Sequence, residues 1–475
     1  MGLATKNSKR KENSNMHSKC TTNIEINKVR IEFTDKKMTA YGGFSLLAAF
    51  FEKVNLRGLL QEVIPVRESS PNGMGIYSKV LAYILMIYAG GSRFSHLLYL
   101  GWQEVLTDLF GVKRLPTAST TLGRLFKKIR KLKEVEEMSG GLWRYVKQLI
   151  PWNEIKEDWL TFDSTVLERY GKQEGVKRGY NPKKKGRGSH SPLLAFLNRS
   201  KYVVHLWNRP GNVMSWNNII GFFESTWQRI HGHIDIRGVI ADSGFYLREL
   251  IEVLERKDLI FIIAARLYRP LQRMVYAQQN WQQIEGGIWI TEFLFQHLDW
   301  MNDRRYIAVR QDIKRRPHAM GKELSLFGDD YDTGDYRYSV WITNSQDPAY
   351  EVWKQCRPRA NDENTIKELK EDFALGGFSM KYFYSTEAAM LIRVFIYNLF
   401  VLFRHQILGQ TEQIERLKTL RFKYFVLPAQ LGGDGRTPVL RISAFTQKVR
   451  SKLLYLYHRI EQYFPPAYGN CTAFG

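Results

Sequence analysis

Trp159-Leu160-Thr161-Phe162-Asp163-Ser164-Thr165-Val166-Leu167 reads as a buried strand with a single acid set among apolar and β-forming side chains. An unpartnered carboxylate in such a run is penalised by desolvation, so Asp163 requires a partner. Outward from it the pattern is regular. Leu193 to Asn198 and Tyr202 to Asn208 predict two more strands, Trp216 to Ile230 an amphipathic helix, Gly238 to Ala241 a strand, Tyr246 to Arg256 a helix, and Leu259 to Ala264 a strand of nearly pure β-formers. Three strands followed by helix, strand, helix, strand specify an α/β fold: a mixed sheet with helical crossovers.

Upstream, residues 1–30 read as a disordered basic arm, and 31–151 as a helical domain with apolar residues at three- and four-residue spacing in Phe44 to Phe51, Val80 to Tyr88 and Leu97 to Phe110. A helix is predicted over Leu122 to Lys133, preceded by the hydroxyls of Thr117 to Thr121 and carrying Arg124, Lys127 and Lys128. Such a helix suits a DNA groove; it equally fits a solvated basic face. Downstream, 268–345 is strand-like and turn-rich, a β-rich insertion that splits the α/β core into 152–267 and 346–410. Helical spacing resumes at Asn361 to Phe373 and Thr386 to Phe403. The C-terminal region, 411–475, holds a hairpin around Gly432-Gly433-Asp434-Gly435 and suits DNA binding or dimerisation.

The 475 residues are 44% hydrophobic and 13% aromatic, which excludes a wholly disordered or low-complexity chain. Lys and Arg total 70 against 47 Asp and Glu, a net charge of +23 that attracts polyanions, so nucleic acid is the first partner to expect. The apolar runs Val80 to Ala89 and Ala388 to Phe403 do not read as membrane helices: the first is too short, and Arg393 and Asn398 interrupt the second. The N-terminal stretch lacks the apolar core of a secretory signal, so a cytoplasmic location is expected. Cys20, Cys356 and Cys471 are too few and too scattered for a disulfide framework or a zinc site.

Two further acids sit where chemistry uses them. Asp242, in Gly238-Val239-Ile240-Ala241-Asp242-Ser243-Gly244-Phe245, ends a buried strand, the edge where open α/β sheets gather ligands. Glu363 lies near the start of the helix after Arg357-Pro358-Arg359. Singly, each acid has an ordinary explanation as a satisfied strand-edge Asp, a helix cap or a solvated helix Glu. Together, Asp163, Asp242 and Glu363 suit divalent-metal chemistry, in which two Mg²⁺ ions clamp the attacking and leaving oxygens of a phosphoryl displacement and Mn²⁺ substitutes. On that helix Arg359, Glu363 and Lys370 fall within about 40° of one another beside the apolar stripe Ile366, Leu369 and Phe373. Lys177, Arg178, Lys183, Lys184, Lys185 and Arg187 form a basic, Gly- and Pro-containing loop between two strands, fit to hold a phosphate backbone if it is not a merely solvated one. His190, His231 and His233 lack the spacing of a metal set and read as structural, and Asp329, Asp330, Asp332 and Asp335 as turn acids.

In these residues the chain resembles the DDE transposases of bacterial insertion sequences, which have an RNase H-like catalytic core. Phe162-Asp163-Ser164-Thr165 resembles the strand-borne first acid, and Asp242-Ser243-Gly244-Phe245 the second. Arg359, Glu363 and Lys370 match the signature Tyr-x2-Arg-x3-Glu-x6-Lys, with Cys356 at the Tyr position. Tyr170 to Gly175 and Gly179 to Gly186 look most like the insertion-sequence group numbered thirteen-eighty. The resemblance implies metal ligation by Asp163, Asp242 and Glu363, and contact of Arg359 and Lys370 with transposon-end DNA. It also implies an insertion domain in which Trp289 or Trp300 is a candidate to stack on a flipped base, the ordinary reading of either being a core Trp. The implied activity is cleavage at terminal inverted repeats, bound through 31–151 as a helical N-terminal DNA-binding domain, and strand transfer into double-stranded target DNA by at least a homodimer, in a bacterial cytoplasm at the nucleoid. An RNase H-like nuclease or resolvase without strand transfer, and a catalytically silent repressor, remain open alternatives.

Overall fold

The computed structural model describes residues 21–68, 72–181, 184–297, 300–319, 321–324, 335–356, 360–378, 380–410 and 414–466, with backbone alone for 21–25 and 360–363. Its centre is a nine-stranded sheet: β1 Glu157–Ser164, β2 Leu193–Leu197, β3 Val203–Trp207, β4 Asp235–Ala241, β5 Ile260–Ala264, β6 Gln282–Glu285, β7 Ile288–Phe295, β8 Arg304–Asp312 and β9 Tyr336–Thr343. The spatial order is β6-β7-β8-β9-β5-β4-β1-β2-β3. β1, β2 and β3 form an antiparallel meander; β4 runs parallel to β1, and β5 parallel to β4. Flanking helices are α1 Ile219–Ile230, α2 Arg248–Arg256, α3 Ala349–Cys356, α4 Ala360–Glu371 and α5 Phe383–Phe403. α1 leads into β4 and α2 joins β4 to β5, the crossovers that the parallel pairs require.

Alternation of side chains decides what each face meets. Trp159 of β1, Ile240 of β4 and Ile262 of β5 share one face, covered by Val352 and Trp353 of α3. Leu160, Phe162, Val239, Ala241, Phe261 and Ile263 share the other, packed against Phe222 and Phe223 of α1 and Leu250 and Leu254 of α2. Two buried polar groups tie the meander down. The Asp158 carboxylate accepts the N–H groups of Trp159, Arg199 and Ser200, locking the start of β1 to the β2–β3 turn. Asn398 of α5 pairs with both the N–H and the C=O of Val203, at 2.8 Å each, on β3, the last strand of the sheet.

The stretch 268–345 is strand-rich as expected, but its strands do not make a sheet of their own. β9 pairs antiparallel with β5, Ile262 opposite Thr343 and Ala264 opposite Trp341, so β6 to β9 continue the central sheet. The boundary at 151 marks a change of element type and not a break in the core. Helix Ile76–Tyr88 lies against α5, with Tyr83 and Tyr88 donating to the carbonyls of Ala389 and Ile396. α5 and its extension to Leu408 are long and apolar enough to cross a membrane, and Ser385 to Phe403 within that stretch are buried inside the protein. Arg393, which interrupts that run, donates to the carbonyls of Ala374, Gly377 and Ala389.

Three local expectations need correction. Within the expected basic arm, Thr21–Ile26 pairs with Val29–Glu32, while residues 1–20 lie outside the described residues. The helix expected over Leu122 to Lys133 is two, Ser119–Lys127 and Leu132–Leu149, because the Glu134 carboxylate accepts the N–H groups of Arg130 and Lys131 and starts the second helix there. The basic loop of 177–187 includes strand structure, described below. The C-terminal hairpin is present: Ala429–Asp434 pairs with Thr437–Ile442, turning at Gly435 in the left-handed region at φ +61°.

Glu387 of α5 is another buried acid of this frame, accepting the Asn208 N–H at 3.0 Å. Burial pushes its carboxyl up to about 8. Between the ordinary carboxylate range and that value the unfolded chain has released a proton that the fold retains, so stability falls as pH rises through this window and levels off above it. Glu387→Gln keeps the acceptor and removes the charge. Its thermal midpoint is expected to match the parent at pH 5 and exceed it at pH 8, read by circular dichroism at both pH values.

Candidate active site

Parallel pairing of β1 and β4 sets Phe162 opposite Ala241, so the next step of the ladder brings Asp163 beside Asp242. Neighbouring strands stand about 4.8 Å apart. Asp163 is the seventh of the eight residues of β1, near its end and not mid-strand as the sequence suggests. Alternation assigns it to the face of Trp159, and Asp242 to the face of Ile240, both on the α3 side. Both aspartates line one cleft of about 880 Å³, together with Trp353 and Cys356 of α3 and with Arg315, Arg316 and Lys322 from the segment after β8.

The turn after Asp242 is closely held. Its Oδ1 accepts the Gly244 N–H at 2.7 Å, capping a short turn of helix, Ser243–Phe245. Phe245 is buried beside Phe162, ring centroids 6.1 Å apart, which seats the second acid over the first strand. Arg266, just past β5, donates to the carbonyls of Ser243 and Gly244. These polar clamps leave no periodic trace, so pattern reading misses them.

Glu363 is the fourth residue of α4, and its side chain lies outside the described residues, as do Arg359 and Lys183. Cys356 lines the cleft, and four chain steps bring Ala360 within about 15 Å of it. Lys370 lies half-buried in the last turn of α4. The expected stripe is present, with Ile366, Leu369 and Phe373 buried. Two acids missed in the sequence share it. Glu368 meets Arg404 at 3.0 Å, and Asp372 meets Arg416 at 2.7 Å. The available signal was a pair of arginines, Arg404 and Arg416, following the longest apolar run. Among the described residues no three His, Cys, Asp or Glu side chains gather as a metal set; the described members of the expected trio are Asp163 and Asp242.

The described part of the basic segment includes a short strand and is not loop throughout: Leu167–Glu168 and Lys177–Arg178 flank Gly188–His190. Lys184 donates to Glu168 and to the Tyr170 hydroxyl at 3.1 Å each, Arg187 lies over the Tyr170 ring at 4.7 Å, and Lys185 is exposed. His190 is buried, accepting from Arg169 and facing the Glu174 carbonyl, and burial lowers its pKa to about 4. His233 Nε2 lies 2.9 Å from Lys147 Nζ. In the N-terminal helices Arg124, Lys127 and Lys128 are exposed. Trp300 is buried among Tyr246, His297 and Arg304. Trp289 is half-buried on β7, where the Arg310 guanidinium lies over it at 5.5 Å.

No curated protein matches the chain. Among solved structures, a piggyBac transposase synaptic complex with hairpin DNA is similar at 11% identity and a TM-score of 0.45, covering 93% of this chain and 86% of that one. A family model described as Transposase DDE domain group 1 matches residues 21–463. Because that match takes in both strand-end aspartates, α4 and almost everything between the chain's ends, the protein belongs to the DDE transposase family of domain group 1.

Proposed function

We propose that this protein is a transposase that binds the terminal inverted repeats of an insertion sequence, cuts the strand there, and joins the freed 3′ end to target DNA. The observation that carries this reading is the placement of Asp163 and Asp242 at the ends of adjacent parallel strands, on one face of one cleft. The meander β3-β2-β1 followed by parallel β4 and β5 supports an RNase H-like core, extended by β6 to β9 in place of a detached insertion domain.

Two carboxylates on adjacent strand ends, with a third from Glu363 of α4, would form a hard oxygen donor set that fits Mg²⁺ or Mn²⁺. A pair of such ions bound there would stabilise charge on the attacking and leaving oxygens at phosphorus. The chain's own part is to hold the DNA. Arg359 and Lys370 contact the end phosphates, and Lys184, Lys185 and Arg187 meet the backbone beside β1. Joining two ends calls for at least two protomers.

An end oligonucleotide carrying a free 3′-OH separates transfer from hydrolysis. With labelled end and unlabelled target in Mg²⁺, joined products are expected on a denaturing gel. Hydrolysis alone would establish a nuclease, and end binding with neither product a repressor.

A further inference from the structure

The loop between β3 and α1 touches both acidic strand ends. Ser215 Oγ lies 2.7 Å from Ser164 Oγ, next to Asp163. The same side chain lies 3.1 Å from where a Cβ on Gly244 would stand, beside the N–H that Asp242 accepts. Its neighbour Trp216 lies under the Arg266 guanidinium at 4.4 Å, and Arg266 holds the carbonyls of Ser243 and Gly244. One short loop therefore reaches the first acid from one side and the second from two.

What holds the loop is buried. Arg209 is 6% exposed; its Nε donates to the Ser191 carbonyl at 3.1 Å, and its Nη1 faces the carbonyls of Met214, Ser215 and Asn217 at 3.2, 3.4 and 3.3 Å. Ser191 returns a backbone bond to the Arg209 carbonyl, and Pro192, next to it, accepts the Thr165 N–H just past β1. A guanidinium is the one side chain with planar donors enough to gather carbonyls in several directions, and its burial among them is costly unless they stay in place.

We propose that Arg209 and Ser215 form a brace that sets the spacing of the Asp163 and Asp242 carboxylates, acting as positioning residues for the metal-holding pair. The inference rests on the proposed role of those two aspartates. Arg209 shapes the loop, and Ser215 transmits that shape to both strand ends. Errors near an ångström in such a site cost on the order of a hundredfold in rate, which is the lever the brace would control.

The test uses the full chain bound to end DNA, with Ser215→Ala, Arg209→Lys, Arg209→Met and the pair Asp163→Asn/Asp242→Asn. Cleavage kcat, end affinity by mobility shift, and Mn²⁺ retained by the complex, read from the free-ion paramagnetic resonance signal, are measured on each. Ser215→Ala is expected to lower kcat about tenfold, to weaken Mn²⁺ retention, and to leave end affinity within about twofold. Arg209→Lys is expected to fall between Ser215→Ala and Arg209→Met. Since Arg209→Met removes a buried cation and risks misfolding, the milder Ser215→Ala decides. Parent-like kcat and Mn²⁺ retention in Ser215→Ala, with Mn²⁺ lost from the aspartate pair, overturn the brace alone. Parent-like Mn²⁺ retention and cleavage in the aspartate pair overturn the metal reading and the brace together.

Discussion

Asp163→Asn and Asp242→Asn are each expected to lower cleavage of end DNA by about a thousandfold or more while end binding persists. Asn is nearly the size of Asp and keeps an oxygen acceptor, so at position 242 the bond from the Gly244 N–H survives and the turn over Phe245 keeps its shape. What is lost is one negative charge at a site that faces phosphate. If the carboxylates hold divalent ions, the change removes a hard ligand from a set of three, and charge stabilisation of this kind accounts for several kcal/mol of barrier. If they served only to cap strand and turn, Asn would serve nearly as well. Binding should hold or tighten, because a carboxylate repels the DNA backbone. Denaturing gels in Mg²⁺ and in Mn²⁺ with a parallel mobility shift check this; cleavage within tenfold of the parent at either position refutes the assignment.

Much of this site was legible because its acids interrupt apolar strands. Trp159 to Phe162 and Gly238 to Ala241 announce buried strands by composition alone, and an acid at the end of each is anomalous enough to notice. That they share a face follows from the period of two, once the parallel register is known. The register itself was not legible, since strand pairing is set by contacts distant in the chain. For the same reason the continuation of the sheet through β9 escaped the reading: Ala264 meets Trp341 across a long excursion that local pattern does not span. The segment of 177–187 was read from its charges, and its short strands depend on pairing with Gly188–His190, which three residues of pattern cannot signal. The brace at Arg209 was invisible because an arginine after a strand looks like any surface cation until its carbonyl partners are seen.

The position of α4 rests on a different balance, and Glu368→Ala is expected to upset it more than any other single change outside the site. Arg404 Nη1 lies 3.0 Å from each Glu368 oxygen, the two side chains are 1% and 5% exposed, and Glu368 also accepts the Leu417 N–H. Removing the carboxylate leaves a guanidinium buried with no counter-charge, a loss of about 3–5 kcal/mol. Removing both charges is another matter, because the desolvation of each disappears with it; Glu368→Met with Arg404→Met is expected to recover most of the loss. Ile366, Leu369 and Phe373 already press the same face of α4 into the core, so an apolar pair there extends an existing contact. Since α4 carries Glu363, cleavage should follow the same order: low in Glu368→Ala and largely restored in the double variant. Thermal midpoints and cleavage rates of parent, single and double variants check both steps. A single variant as stable as the parent would mean that the pair is not the buried one described, and a stable double variant without cleavage would mean that the ion pair sets the register of α4 as well as its attachment.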